Sequence, residues 1–272
     1  MGSRLFLLNL YPELSTVPSA FRPLNSTTHP NQRRTRALDV GAGIGRVTAD
    51  VLLHLVTDVV LVEPVDAFLQ EAMARARASA LDTATSPRVS WPGLADESKS
   101  VTFLQDTLQQ FQPLSPHRSQ FHDRIGYQPP QPIDETGKVF DVIWCQWCLG
   151  CLTNPDLVAF LKRSHEALNP ENPRSLIVVK ENLCSNDMDG SALEVFDEED
   201  SSLTRFVDSF FNFSSVIKEY FRSDVAWKSL FKIAGLRLVR EEVQEGLPAG
   251  LFEVKMYVPP FDWLEMFELK IR

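Results

Sequence analysis

At 272 residues the chain can bury a substantial core in one large domain or two small ones. With 44% hydrophobic and 23% charged residues it reads as an ordinary globular protein, and its formal charge of -9 argues against broad nucleic-acid binding. No apolar run is long enough to cross a membrane, and four cysteines in a chain of this length do not make a disulfide scaffold, so a reducing compartment is expected, the cytoplasm with the nucleus as a second address.

Residues 1–36 read as an irregular N-terminal segment, because Pro12, Pro18, Pro23 and Pro30 interrupt any long helix. The run Leu5-Phe6-Leu7-Leu8 is too short for a signal-peptide core. Arg33, Arg34 and Arg36 form a basic cluster that reads as a solvated linker before it reads as a nuclear address. A strand is expected at 37–40, a glycine turn at Gly41, Gly43 and Gly45, and a helix from Arg46 to about residue 55. The β-branched run 59–62 predicts a strand buried on both faces, ending at Glu63-Pro64. A helix follows at 66–81, rich in Ala, Glu and Arg, and a third strand at 101–104 runs into Gln105.

Residues 112–138 carry many Pro and Gln and few apolar residues, which predicts an inserted surface loop. Strands are then expected at 139–145 and 176–180, with a helix at 155–168 capped by Asn154. The acidic stretch 197–202 precedes a helical pattern at 203–221 and a second helix at 224–233 that ends at Gly235. Late strands are expected at 236–239 and 252–257, and 259–272 form a C-terminal tail. Alternation of strands and helices over 37–180 predicts an α/β fold with a doubly wound, mostly parallel sheet of seven strands and helices on both faces, spanning 37–258.

In such a sheet ligands bind beyond the carboxyl ends of the strands. Four signals fall there: the turn Gly41–Arg46, Glu63, Leu104-Gln105 and Gln146-Trp147. Glu63 suits a pair of vicinal ribose hydroxyls, which alone also fits a nicotinamide dinucleotide. However, the glycines alternate as Gly41-x-Gly43-x-Gly45 instead of following the dinucleotide spacing, and Arg46 in the first helical turn suits a carboxylate. A cofactor with an amino-acid end, a ribose and an adenine fits better, which is S-adenosylmethionine. Cys145, Cys148, Cys151 and the distant Cys184 read as small buried thiols before they read as metal ligands, and no metal site is expected.

The segment 38–48, Leu-Asp-Val-Gly-Ala-Gly-Ile-Gly-Arg-Val-Thr, resembles the signature of the protein α-N-terminal methyltransferases. Further matches follow in order: Leu104-Gln105-Asp106, Trp144-x-Gln146-Trp147, Lys180-Glu181-Asn182, Asp197-x-x-Asp200-Ser201-Ser202 and Leu247-Pro248. The resemblance covers about 38–257. It implies a Rossmann-like class I methyltransferase fold and S-adenosylmethionine-dependent methylation of the free α-amine of proteins beginning Xaa-Pro-Lys. It further implies Gly41, Arg46, Glu63, Leu104, Gln105 and Gln146 as cofactor contacts. Trp147, Asp197 and Ser201 would meet the substrate, and Asn182 and Asp200 would hold the amine.

A carboxylate such as Asp200 would take the amine's proton directly or through water, or would orient the amine while bulk water takes it. Protein N-termini are then the expected partners, with neither nucleic acid nor membrane, and the sequence leaves the oligomeric state open. The other readings are a methyltransferase for a different amine or small molecule, and a cofactor-binding member without turnover. The chain departs from the family in three ways. Cys151 stands where the family has His, and insertions fall at 112–138 and within 206–224. Residues 1–36 lack the family's Trp and Met-Leu-Gly-Gly-like closing loop, so the lid is expected to be replaced or lost by truncation.

Overall fold

Short β-branched runs bounded by glycine and proline form strands because branched side chains pack well on a pleated surface and lose little freedom there. In the computed structural model, which describes residues 2–16, 34–81, 90–130, 139–184, 194–197, 219–247 and 252–259, ten strands are present among the described residues. The chain divides into two compact units, Met1–Trp144 with Glu166–Leu176, and Cys145–His165 with Ile177–Arg272.

The first unit carries β1 (Arg36–Val40), β2 (Asp58–Val62), β3 (Ser100–Gln105) and β4 (Gln120–Gly126), hydrogen-bonded in the order β4-β3-β2-β1. β1, β2 and β3 are parallel, and their register aligns Val40 with Val62 and Val62 with Leu104. Gly41, Glu63 and Gln105 each follow one of these aligned residues, so they form a row past the three carboxyl ends. α1 (Ser3–Leu10) precedes β1, while α2 (Arg46–Asp50), with a short 3-10 turn at Leu52–His54, and α3 (Asp66–Ala80) lie between the strands. Leu38, Val60, Leu61, Leu69, Ala72, Met73 and Phe103 are buried between sheet and helix.

Two expectations need correction here. Residues 1–36 are not irregular throughout, since α1 buries Phe6 and Leu7 completely and Tyr11 almost so. The apolar run that is too short for a signal core is long enough for two helical turns with one buried face. Arg34 and Arg36 are not a solvated linker. Arg34 Nε donates to Asp58 at 2.7 Å, and Arg36 is buried with its guanidinium over the Phe140 ring. Its backbone N–H donates to Asp141 at 2.8 Å.

The expected loop 112–138 contains a strand, because β4 pairs antiparallel with β3. Its charges are used inward: Arg124 donates to Thr102 Oγ1 at 2.9 Å and pairs with Asp58, while Arg77 pairs with Asp123 at 2.7 Å. Ile125 within the strand and Phe111 ahead of it are buried. Local composition hides such a strand, because the apolar content is supplied by only a few residues and the rest is ion pairing to distant positions.

β5 (Val142–Gln146) begins in the first unit and ends in the second. The second unit adds α4 (Asn154–Glu166), β6 (Leu176–Cys184), β7 (Glu194–Asp197) and β8 (Glu219–Ser223). It continues with α5 (Asp224–Ile233), β9 (Arg240–Val243) and β10 (Glu253–Val258). β10 lies antiparallel between β6 and β9, and β8 runs parallel to β6 with β7 antiparallel to β8. The Ser223 side chain caps α5 by accepting from the Ala226 amide.

The sheet is therefore mixed. β4, β7 and β8 are the strands beyond the expected seven, and the expected strand 236–239 lies four residues later as β9. The end of the helical pattern 203–221 is strand β8 from Glu219, and the remainder of that pattern lies outside the described residues. Most of the expected C-terminal tail, 260–272, also lies outside them.

Candidate active site

Gly41, Gly43 and Gly45 have φ of 58°, 56° and 78°, the left-handed region that side chains with a Cβ resist. The alternate spacing thus has a backbone cause. Gly45 has a second cause, since a Cβ there would overlap the buried indole of Trp91, whose Cζ2 would be 2.8 Å away. A Cβ on Gly43 would meet nothing within 4 Å, so this side of the turn faces open space.

Glu63 is buried and braces the turn. Its Oε2 accepts from Gly43 N at 2.7 Å and its Oε1 from Val65 N at 2.9 Å. Burial pushes its pKa up, while the two amide donors oppose that shift. Each oxygen retains a second lone pair for a ligand hydroxyl. Asp39, one residue before the end of β1, is 1% exposed and accepts from Thr48 Oγ1 at 2.6 Å. Burial pushes its pKa up to about 7, against the Thr48 hydrogen bonds, with the Glu63 charge adding to the rise.

Arg46 is exposed on the first turn of α2 and makes no ion pair among the described residues, which leaves its guanidinium for a carboxylate. Leu104 is buried, and its carbonyl accepts from Glu63 N at 3.2 Å. Gln105 Nε2 donates to the Pro64 carbonyl at 3.1 Å. The first unit therefore brings Gly41, Arg46, Glu63, Leu104 and Gln105 to one edge. Three features there fit an S-adenosyl ligand: open space over Gly43, a carboxylate at the turn, and a guanidinium without an ion pair among the described residues.

In the second unit Gln146 ends β5, half-buried. Trp147 has φ of 54°, a conformation that costs a non-glycine residue roughly 1–3 kcal/mol. The surrounding hydrogen bonds hold it there. Trp147 N donates to Lys180 O at 3.0 Å, and Cys148 N and Leu149 N both donate to the buried Glu181 Oε1, at 3.0 and 2.9 Å. Lys180 Nζ sits 5.5 Å from the centre of the Trp147 ring, and the indole N–H is buried without a partner among the described residues. Asn182 is half-exposed on β6, in register with Val254 of β10. Asp197 ends β7 at a backbone pair with Glu219. Asp200 and Ser201 lie outside the described residues.

Two residues that sequence reasoning passed over support this loop. Glu181 lies inside a quoted motif without an assigned role. Arg222 is fully buried and donates to Leu149 O at 3.3 Å, Leu152 O at 2.6 Å and Asn154 Oδ1 at 3.0 Å. Nothing in its local sequence marks it. Cys151 donates its thiol to the Cys148 carbonyl at 2.8 Å. The Cys148 thiol is pushed up by its hydrogen bond with Cys145 and by burial. Among the described residues no group of three or more His, Cys, Asp or Glu is placed to hold a metal ion.

The model of the AdoMet-dependent proline di-methyltransferase family matches residues 14–259. An Arabidopsis thaliana alpha N-terminal protein methyltransferase 1 is 32% identical over 262 residues, covering 96% of this chain and 69% of that protein. A Xenopus laevis N-terminal Xaa-Pro-Lys N-methyltransferase 1-B is 31% identical over 221 residues, covering 81% and 70%. A solved Leishmania major SAM-dependent methyltransferase superposes with a TM-score of 0.51 at 28% identity, covering 85% of this chain and 66% of that one.

Proposed function

The chain belongs to the AdoMet-dependent proline di-methyltransferase family, and from that premise we propose that it methylates the free α-amine of proteins with an Xaa-Pro-Lys N-terminus, using S-adenosylmethionine. The observation that carries the donor half is the row formed by Gly41, Glu63 and Gln105 past three aligned strand ends. Glu63 would accept from ribose hydroxyls, Arg46 would pair with the donor's carboxylate, and Leu104 and Gln105 would border the adenosyl group, with Gln146 added by the family motif alone. When bound, S-adenosylmethionine supplies an electrophilic methyl on a sulfonium.

The acceptor must be a neutral amine. An unperturbed α-amine has a pKa of about 7.7–8.0, so much of it is protonated at neutral pH. Asn182 and Asp200 hold the nitrogen, and Asp200 is placed by motif to take or orient the departing proton. Trp147 offers a rigid ring face to the proline at the second position and a buried N–H to a carbonyl. By the family motif, Asp197 and Ser201 complete the acceptor side, with Asp197 the acidic partner for the substrate lysine. Positioning dominates such a displacement, because holding nitrogen and methyl in line removes most of the entropic barrier.

The test compares methyl transfer to a Xaa-Pro-Lys peptide with transfer to its N-acetylated copy. Transfer to the free peptide alone is expected. Equal labelling of both would move the acceptor away from the α-amine, and labelling of neither, with S-adenosylhomocysteine bound, would mark a binder without turnover.

A further inference from the structure

The segment that joins β3 to β5 does not run straight across the sheet: its folded part turns back as β4, the antiparallel neighbour of β3, and returns to the cofactor row. β4 pairs Gln120 with Gln105 and Phe121 with Leu104. His122 Nε2 lies 3.0 Å from Gln105 Oε1, while Gln105 Nε2 donates to Pro64 O at 3.1 Å. The Pro64 carbonyl can only accept, so the amide nitrogen must face it and the amide oxygen must face His122. His122 Nε2 therefore carries a hydrogen and donates. One hydrogen-bond chain joins β4, the end of β3 and the residue that follows Glu63.

Beside this chain lies a cavity of about 480 Å³, lined by Gln105, Asp106, Gln110, Arg118, Ser119 and Gln120. Its volume lies in the range of small-molecule pockets. Amide, hydroxyl, carboxylate and guanidinium groups in one wall suit the edge of a planar heterocycle with adjacent donors and acceptors, and not an apolar group.

We propose that the inserted strand is part of the cofactor pocket, with His122 a positioning residue that locks the Gln105 amide so that its remaining N–H and lone pair meet the adenine edge of an S-adenosyl ligand. The proposal rests on the cofactor reading above. Without His122 the Pro64 carbonyl alone holds the amide nitrogen, and the amide oxygen, deprived of its donor, pivots about a last torsion that is broad, so the edge offered to the base is no longer fixed. The wall from Arg118 to Gln120 then narrows the choice of base.

The experiment is calorimetric titration of the full chain with S-adenosylhomocysteine. His122→Ala should weaken binding about fivefold, the worth of roughly one hydrogen bond. Gln105→Ala should do the same, and the double variant should lose no more than either. His122→Gln should restore binding to within about twofold, because its amide nitrogen reaches as far as imidazole Nε2. His122→Asn, one methylene shorter, should not. The Michaelis constant for the peptide should stay unchanged in the three single His122 variants at saturating S-adenosylmethionine. A merely structural role would not separate Gln from Asn.

Native affinity in His122→Ala would overturn the proposal, as would additive losses in the double variant. If His122→Ala does not fold, equal affinities in the Gln and Asn variants overturn it. A native chain that binds no S-adenosylhomocysteine overturns the cofactor reading itself, and this proposal falls with it.

Discussion

Asp39 shows how one buried carboxyl can set a pH dependence. Its pKa is raised from 3.8 to about 7, chiefly by burial. At intermediate pH the folded protein keeps a proton that the unfolded chain has released. That contribution to stability is fully present below about pH 4 and is lost as pH rises through 7. Asp39→Asn keeps an oxygen for Thr48 and removes the titration. Its stability relative to the native chain should therefore rise between pH 5 and pH 8, by up to roughly 2.5 kcal/mol at about 1.36 kcal/mol per pKa unit over the part of the shift that lies above pH 5. Urea denaturation of both chains at the two pH values measures it, and parallel profiles would contradict the assignment. Glu63 shows another feature that sequence alone hides. Its carboxylate serves the protein first, as the acceptor that holds Gly43 and Val65, and only its remaining lone pairs are left for a ligand.

At the scale of the element, the glycine turn separates two roles that look identical in the sequence. Gly43 faces open space, and Gly45 faces Trp91. Gly43→Ala should cost only the strain of a positive φ, about 1 kcal/mol, while weakening S-adenosylhomocysteine binding by filling that space. Gly45→Ala should lose clearly more stability, because strain and overlap with the indole add. Denaturation midpoints and ligand titration of the two variants separate the roles, and equal losses of stability would contradict them. The turn, β1, β2 and α3 were legible because strand and helix periodicities are local. β4 was not legible. Asp123 and Arg124 read as loop chemistry until Arg77 and Asp58 are seen opposite them. α1 was hidden for a related reason: two helical turns have too few residues for periodicity to stand out against scattered prolines.

At the scale of the whole molecule, a ligand that binds only the folded chain must stabilise it by mass action. S-adenosylhomocysteine at 100 times its dissociation constant should contribute about 2.7 kcal/mol. That corresponds to a rise of about 5 °C or more in the thermal midpoint for a chain of this size. Thermal scans with and without the ligand check this, and no shift would argue against the cofactor. The row of residues past the three parallel strand ends was almost fully legible. Gly41, Glu63 and Gln105 each end a recognisable apolar run, and parallel pairing in register then leaves them little choice but to line up. The acceptor half was legible only as a resemblance, because Trp147, Asn182 and Asp197 have no local pattern that demands a ligand.

The sequence by itself determined the α/β class, the position of the glycine turn and which residues follow the three parallel strands, since alternation, β-branched runs and obligatory glycines are properties of neighbouring residues. Only the tertiary structure decided that 120–126 is a strand, that Arg34 and Arg36 are anchored, and that Glu181 and Arg222 hold the strained Trp147 loop. Each of these depends on a hydrogen bond or ion pair across more than twenty residues of chain, and such partners are chosen by packing and not by periodicity.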